Sequence, residues 1–540
     1  MHRRIFYTST VMGLLLFIQP AFIYGERLAL DLSPGVPHDF NLAKTTNDPL
    51  AVEKDAFNIA TYAWNTFFAL NFPSYPIDSG KRGQPDPDQA INFGLNGPTV
   101  WNTFKQKREL FRTIVDPTSP TGFLYDTSDP GDFESLIAFE KMSPNIAPCA
   151  GVTPVSPNEV WNFLDEAQEI SLASIWANDF SPTADNLVYT QVKMNKAYYD
   201  YVRQNRLYST VALNRMIARQ NPTTDFFGGV HLPEGNKDNE GAILIKSSWV
   251  KNAMLPQTLQ YQYYSVNGMY FDVENSGTPS QKICYRTDKF SLIGIHMIHK
   301  TESFPEFLYT SFDNIHNPDA AFFYANANGT ASTLPNAFGV PYTHPANPQP
   351  GLQDPPYPVQ YELNPRRPVV EQLNREAQSL IASVYPNAVW QNYQLVGLQF
   401  TPANGPKDFA NQSQDYYLAN PVIETNQRFQ KFTGTFTASN QTNVLPHPYG
   451  QTSAVQMGGC QGCHGAGGQG GAFTQAEILQ GRGGTDFSFI LFRARQNPTD
   501  QGVETIKDAL DQITPGVKYP VQPWFSLKPP VGFGWRLLGY

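Results

Sequence analysis

The stretch FSLIGIHMIHK, residues 290–300, decides the fold class of this chain of 540 residues. Its isoleucines, leucine and phenylalanine are typical of a β-strand. Along such a strand His296 and Ile298 share one face, and His299 points to the other. Four more short segments, rich in aromatic or β-branched residues and bounded by turn residues, predict strands at 241–250, 261–273, 304–312 and 393–401.

Helical patterns lie on both sides of this block of strands. Asp48-Pro49 resembles an N-cap followed by a first-turn proline, and apolar residues then recur at helical spacing as far as Asn71. Further helices are predicted at 158–170, 197–220 and 367–385. Because the strands form one block, the order favours an α+β fold over regular βαβ alternation. We therefore predict a large α+β body over residues 26–440.

Two regions stand apart from the strand block. Residues 341–368 contain nine prolines, so they form either a linker or an ordered loop over the surface. Residues 441–540 contain a glycine-rich loop, a strand-like segment at 486–492 and an amphipathic helix at 503–513. Because this segment is small for an independent domain, we expect it to pack on the body.

The N-terminus has the pattern of an export signal. Basic residues at the start lead into a short apolar run that ends near Gly25, so residues 1–25 are predicted to be a cleaved signal peptide. An uncleaved N-terminal anchor is the alternative. No later run is long and apolar enough for a membrane span, and the net charge of −9 argues against nucleic acid and anionic lipid as partners. We expect a periplasmic or secreted protein.

The motif with the clearest chemistry is Cys460-Gln461-Gly462-Cys463-His464, which matches C-x-x-C-H. In covalent haem c, the two cysteine sulfurs form thioether bonds to the porphyrin, and the adjacent imidazole binds the iron as the proximal axial ligand. The sequence therefore predicts one covalently bound haem c, held by Cys460, Cys463 and His464.

Zinc binding and a redox disulfide are the competing interpretations of this motif. A zinc site normally needs a second ligand pair, yet no cysteine or histidine follows His464. A thioredoxin-like C-x-x-C should lie between a strand and a helix, whereas these cysteines are flanked by glycines. Both alternatives are therefore weaker than haem attachment. For the other two cysteines, Cys149 and Cys284, a disulfide and two buried free thiols remain equally open.

The second axial ligand has no candidate downstream of the motif, because neither methionine nor histidine follows His464. A distal ligand must come from the body or be absent. We favour His296, since an imidazole among isoleucines on a strand is unusual unless it has a partner. A satisfied core or surface histidine is the alternative. The wider set of candidates is His231, His299, His316, His344, His447, Met254, Met269 and Met297.

Several segments give the chain a resemblance to exported bacterial cytochrome c domain-containing proteins, which combine a long N-terminal body with one C-x-x-C-H near the C-terminus. The segments that carry the resemblance are 63–73, 100–111, 243–250, 292–301, 417–427 and 458–465. The family has a histidine at the His296 position, but the T-F-E-H usual after that strand is replaced by Ser311-Phe312-Asp313-Asn314. The resemblance implies haem binding and electron transfer, without an established substrate.

Together these observations predict a periplasmic monohaem c-type cytochrome that exchanges electrons with a redox partner protein or a small molecule. A haem-dependent oxidoreductase with an open distal site, acting on a peroxide or another small molecule, is the first alternative. A body of this size exceeds what electron carriage needs, which supports that alternative. A haem-based sensor is the second.

Overall fold

The strand predicted at residues 290–300 is the second half of the longest strand among the described residues, Lys282–His299. The computed structural model describes the following residues: 28–39, 49–95, 97–115, 123–126, 128–135, 147–152, 162–164, 166–167, 188–209, 211–213, 216, 230–274, 282–304, 307–317, 323–325, 331–333, 368–399, 437–438, 441–442, 444–446, 454–456, 486, 488 and 490–491. The predicted signal peptide, the haem motif and the helix at 503–513 lie outside these ranges, as does all of 341–368 except Pro368.

The described helices and strands alternate irregularly along the chain. The α-helices are α1 (Pro49–Leu70), α2 (Lys107–Leu110), α3 (Lys196–Gln204) and α4 (Pro368–Val384). The 3-10 helices are Pro87–Asn92, Trp101–Thr103, Asn252–Met254, Gln260–Gln262 and Val389–Asn392. The strands are β1 (Lys105–Gln106), β2 (Arg112–Val115), β3 (Phe123–Asp126), β4 (Ala147–Pro148), β5 (Glu166–Ala167), β6 (Tyr189–Met194), β7 (Ile243–Lys251), β8 (Ser265–Glu274), β9 (Lys282–His299), β10 (Leu308–Asn314), β11 (Phe323–Ala325), β12 (Ala331–Thr333), β13 (Tyr393–Gln399), β14 (Thr437–Ala438), β15 (Gln441–Thr442), β16 (Val444–Pro446) and β17 (Ala454–Gln456).

Nine of these strands form one sheet. Six follow the path β1-β6-β7-β9-β10-β13, and off this path β4 and β8 pair with β9 and β5 pairs with β6. β9 spans 18 residues and divides its pairing, because its first half pairs with β8 and its second half with β7 and β10. Its pairing with β4 is parallel, and the other pairings in this sheet are antiparallel. An antiparallel sheet with helices before and after the strand block confirms the predicted α+β class for the described residues.

Helices α1 and α4 pack on each other and on one face of the sheet. Phe312 of β10 marks this helix-covered face, because its ring lies 4.9 Å from that of Trp64 and 4.4 Å from that of Phe67. Burying large side chains of this kind stabilises the fold by about 1.5–3 kcal/mol each. Asn374 of α4 adds polar specificity: its Oδ1 accepts hydrogen bonds from the Trp64 indole and from the backbone N–H of Leu395, each at 3.0 Å.

The opposite face of the sheet carries His296, Ile298, Tyr309 and Ser311, and we call it the His296 face. Directly paired residues of an antiparallel ladder lie on the same face, and Ser311 pairs with His296 while Tyr309 pairs with Ile298. Neighbouring residues alternate, so Phe312 and His299 belong to the helix-covered face. The alternation predicted for His296 and His299 is therefore confirmed.

The predicted helix at 158–170 is wrong over the part of it that the structure describes. Leu164 donates its N–H to the Met269 carbonyl and Met269 donates to the Asn162 carbonyl, so these residues extend the sheet beside β8. Glu166–Ala167 pairs with β6. Long-range strand pairing thus satisfies backbone groups that a helix would have paired locally.

The helix predicted at 197–220 is interrupted, because α3 ends at Gln204 and helical conformation returns at the described residues 211–213 and 216. Arg206 has a φ of 57°, a left-handed conformation that interrupts a helix. At 486–492 the described residues form a turn at Asp486 and a 3-10 segment at Ile490 and Leu491, so no strand is present at those positions.

Cys149 and Cys284, left open by the sequence, form a disulfide. Their Cα atoms lie 4.9 Å apart, and the bond joins β4 to the first half of β9 across 135 residues of sequence. Disulfides persist mainly in oxidising compartments. Among the helices of the described ranges, none is long and apolar enough to cross a membrane.

Candidate functional site

Of the four predicted haem-site residues, His296 is the one that the structure describes, since Cys460, Cys463 and His464 lie outside the described ranges. His296 occupies β9 between two neighbouring strands, directly paired with Lys246 of β7 and with Ser311 of β10. Its side chain is buried, with 6 % of its surface exposed. Pairing of β9 with both β7 and β10 thus fixes the backbone at His296, and the imidazole lies on the His296 face.

The orientation of the His296 ring is set by its neighbours. Its Nδ1 lies 2.6 Å from the Ser311 hydroxyl, and the Tyr309 ring lies 5.8 Å from it. When Nδ1 carries the proton and donates to Ser311 Oγ, Nε2 holds the lone pair that a metal ion requires. Metal-binding histidines are commonly oriented by a hydrogen bond on the second ring nitrogen. His296 therefore shares with metal-binding histidines a hydrogen bond on one ring nitrogen that orients the imidazole.

His299 is in a different environment, on the helix-covered face. Its Nδ1 lies 3.0 Å from the Tyr62 hydroxyl of α1, and its Nε2 contacts the Glu240 carbonyl. Burial lowers the pKa of His299 to about 4, although the Glu240 carbonyl opposes this shift. Because both ring nitrogens contact groups of the chain itself, His299 is a satisfied core histidine.

Lys300, immediately after β9, forms a buried ion pair with a residue from far along the sequence. Its Nζ lies 2.5 Å from Asp486 Oδ2, and the two side chains are 3 % and 1 % exposed. The same Asp486 oxygen accepts the backbone N–H of Leu232 at 2.7 Å. Glu234, which is more exposed, lies 3.5 Å from Lys300. The buried carboxylate partner of Lys300 is thus a residue that follows the haem motif.

Neighbours of Asp486 also contact the body. The Ser488 hydroxyl lies 2.5 Å from the Tyr198 hydroxyl of α3, and Ile490 and Leu491 belong to the main hydrophobic core. We call residues 486, 488, 490 and 491 the C-terminal anchor. These four residues bring a short part of the 441–540 segment against the sheet body.

A row of aromatic rings connects the anchor with His296. The Lys300 ammonium lies 5.8 Å from the Phe307 ring, which is 6.3 Å from the Tyr309 ring. Tyr309 in turn lies beside His296. Contacts through Lys300, Phe307 and Tyr309 therefore connect Asp486 of the anchor with His296.

A buried charge cluster was missed at the sequence level. Glu109 of α2 accepts hydrogen bonds from Arg82 and Lys105, at 2.6 Å and 3.2 Å, with all three side chains nearly inaccessible. Burial raises the pKa of Glu109, but the Arg82 and Lys105 charges outweigh it and hold the pKa at about 2. Burial lowers the pKa of Lys105 to about 8, with Glu109 opposing.

The signal for this cluster was KQKRELFR, residues 105–112, a charge-dense run between aromatic residues in a chain with only 16% charged residues. Such a run usually indicates a solvated surface, yet residues 105–112 are all buried. Since these groups reach almost no solvent, we assign the cluster to the scaffold rather than to chemistry.

The other candidate ligands are dispersed. Met297 lies on the helix-covered face, paired with Thr310 and Ile245. Met269 pairs with Thr287 on β8 and β9, and Met254 ends a 3-10 helix. His231 is exposed and His316 is half-buried after β10, whereas His344 and His447 lie outside the described ranges.

One group of metal-type side chains is explained by the disulfide. Cys149, Cys284 and Glu274 bring their ligand atoms within 4.8 Å of one another. Both sulfurs are bonded to each other, so neither is a thiolate that could bind a metal ion. This group is structural.

Comparisons of the chain with protein-family models, with curated proteins and with solved structures gave no match.

Proposed function

We propose that this chain is a periplasmic monohaem c-type cytochrome that transfers electrons, with haem c attached at Cys460 and Cys463 and His464 as the proximal ligand. The observation that carries the proposal is the C-x-x-C-H spacing at 460–464 in a chain with an export-type N-terminus. The Cys149–Cys284 disulfide supports an oxidising compartment. Bound haem iron supplies one-electron redox chemistry.

The body contributes a candidate distal ligand in this proposal. His296 is buried, oriented through Nδ1 by Ser311, and held on a strand that is paired on both sides. Asp486 of the C-terminal anchor, which follows the motif, contacts Lys300 at the end of β9. Both observations support a haem held between the C-terminal segment and the His296 face. The partner is a redox protein or a small electron donor or acceptor.

The first test measures covalent haem. We expect the protein, produced with a cytochrome c maturation system, to give one haem per chain in an alkaline pyridine assay. The Cys460→Ala/Cys463→Ala variant should lose covalent haem, because both thioether sulfurs are removed. The matched control, Cys149→Ser/Cys284→Ser, removes the same number of sulfurs from the body and should keep its haem. Absence of covalent haem from the unmodified protein would overturn the proposal.

The second candidate function is a haem-dependent oxidoreductase with an open distal site, and a haem-based sensor is a third, weaker candidate. The absence of any methionine or histidine after His464 favours an open distal site. Spectra of the reduced protein with and without carbon monoxide separate the two functions. A low-spin spectrum that carbon monoxide leaves unchanged supports the electron carrier, whereas ready binding supports an open iron site.

A further inference from the structure

We propose that Lys300 and Asp486 act as a positioning clamp that fixes the chain following the haem motif on the His296 face. This inference rests on the proposed function, and it assigns both residues a role in axial ligation by His296 without contact with the haem.

Both residues of the clamp are buried. Lys300 and Asp486 are 3 % and 1 % exposed, and their charged atoms are 2.5 Å apart. Desolvating two charges is costly, so a buried ion pair is weak evidence for added stability. In some proteins a buried ion pair instead favours one arrangement of two chain segments over the alternatives. Here the two segments are the end of β9 and the region after the haem motif.

The Lys300 side of the clamp is rigid. Its N–H donates to the Ala242 carbonyl at 3.0 Å, and its carbonyl accepts from Gly235 at 2.8 Å. Gly241 permits this close approach, because its φ is +75° and a Cβ there would lie 2.4 Å from the Lys300 carbonyl oxygen. The backbone therefore holds Lys300 in one place relative to β7 and β9.

The Asp486 side carries additional contacts. Leu232 donates its N–H to the Asp486 carboxylate, Tyr198 and Ser488 share a hydroxyl hydrogen bond, and Ile490 and Leu491 enter the core. These contacts combine charge, hydrogen bonding and apolar burial within six residues of sequence. They make this short stretch a defined attachment point for the C-terminal segment.

The spacing suits a haem placed at His296. Asp486 follows His464 by 22 residues, and Lys300, the first residue after β9, follows His296 by four residues. Four residues of strand span about 13 Å, and residues at even spacing share one face. In this proposal, attachment of the chain at Lys300 limits the distance between the motif and His296. The attachment thereby raises the effective concentration of His296, the proposed second axial ligand, at the iron.

The test uses the holoprotein and the Asp486→Asn variant, which keeps the side-chain shape and removes the charge. We expect one covalent haem per chain, as in the unmodified protein, but a partly high-spin spectrum and at least a tenfold increase in carbon monoxide affinity. Lys196→Ala, which breaks an exposed ion pair of α3, is the control and should leave the spectrum and the affinity unchanged.

Each outcome has a defined meaning. No covalent haem in the unmodified protein overturns the proposed function itself. Covalent haem with an unchanged spectrum and carbon monoxide affinity in Asp486→Asn overturns the clamp alone, even if the melting temperature falls. An unmodified protein that is already high-spin overturns the clamp as well, because His296 then makes no axial bond.

A milder variant covers the case in which Asp486→Asn does not fold. Tyr198→Phe removes only the hydroxyl that contacts Ser488. We expect it to raise carbon monoxide affinity at least twofold, and an unchanged affinity in folded Tyr198→Phe contradicts the clamp.

Discussion

Two histidines three residues apart on β9 show how a strand separates two chemical roles. His296 and His299 have similar neighbours in the sequence, yet their side chains lie on opposite faces of the sheet. The sequence could predict this separation because the period of a strand is two residues. It could not predict Ser311 beside His296 or Tyr62 beside His299, because both contacts depend on the pairing of distant segments.

Replacing His296 tests its role as a distal ligand. We expect His296→Ala to convert a low-spin reduced spectrum to a high-spin one that responds to carbon monoxide, because the imidazole Nε2 is removed while the covalent haem stays. His316→Ala is the control, since this half-buried histidine lies beyond the end of β10. A low-spin spectrum that survives in His296→Ala rules out His296 as the ligand.

At the scale of elements, the sequence predicted the five strands of the body and helices α1 and α4. α1 and α4 begin at Pro49 and Pro368 as their patterns indicated, and the five predicted strands correspond to β7, β8, β9, β10 and β13. The short elements around KQKRELFR were not predicted. The sequence could not show that Glu109 pairs with Arg82, because Arg82 comes from a separate loop 27 residues earlier.

Acid should weaken the α2 region through Glu109. Its pKa is about 2 in the folded protein, below the ordinary 4.5. The stability that it contributes is therefore present above pH 4.5 and is lost as the pH falls from 4.5 towards 2. The shift corresponds to about 3 kcal/mol of free energy of unfolding. Urea titrations of the unmodified protein and Glu109→Gln should give a stability difference that shrinks by about this amount over that range.

Asp129 provides the matched control for this pH dependence. The pKa of Asp129 is also held at about 2, chiefly by its hydrogen bond to Arg203, but its side chain is 60% exposed. Solvent screening should limit the effect of Asp129→Asn to less than about 1 kcal/mol. If Glu109→Gln and Asp129→Asn change stability equally at neutral pH, the buried cluster does not stabilise α2 as described.

For the whole molecule, the order of strands in the sheet could not be predicted from the sequence. The path β7-β9-β10-β13 places distant residues side by side, such as Tyr309 and Gln399, which are 90 positions apart, and local patterns contain no information about such pairings. The 158–170 prediction was wrong for the same reason, because the described residues there pair with β8. The disulfide pairing likewise required the structure, since its cysteines are 135 residues apart.

The four cysteines allow a single measurement on the whole chain. Cys149 and Cys284 are joined in a disulfide, and we propose that Cys460 and Cys463 are joined to haem. The denatured holoprotein should therefore take up no alkylating agent before reduction and two equivalents after it, as read by intact mass. Thioether bonds resist thiol reductants, so the haem-bound pair stays protected. A zinc site or a redox disulfide at 460–463 predicts four equivalents after reduction, and that result would exclude covalent haem while leaving the fold unaffected.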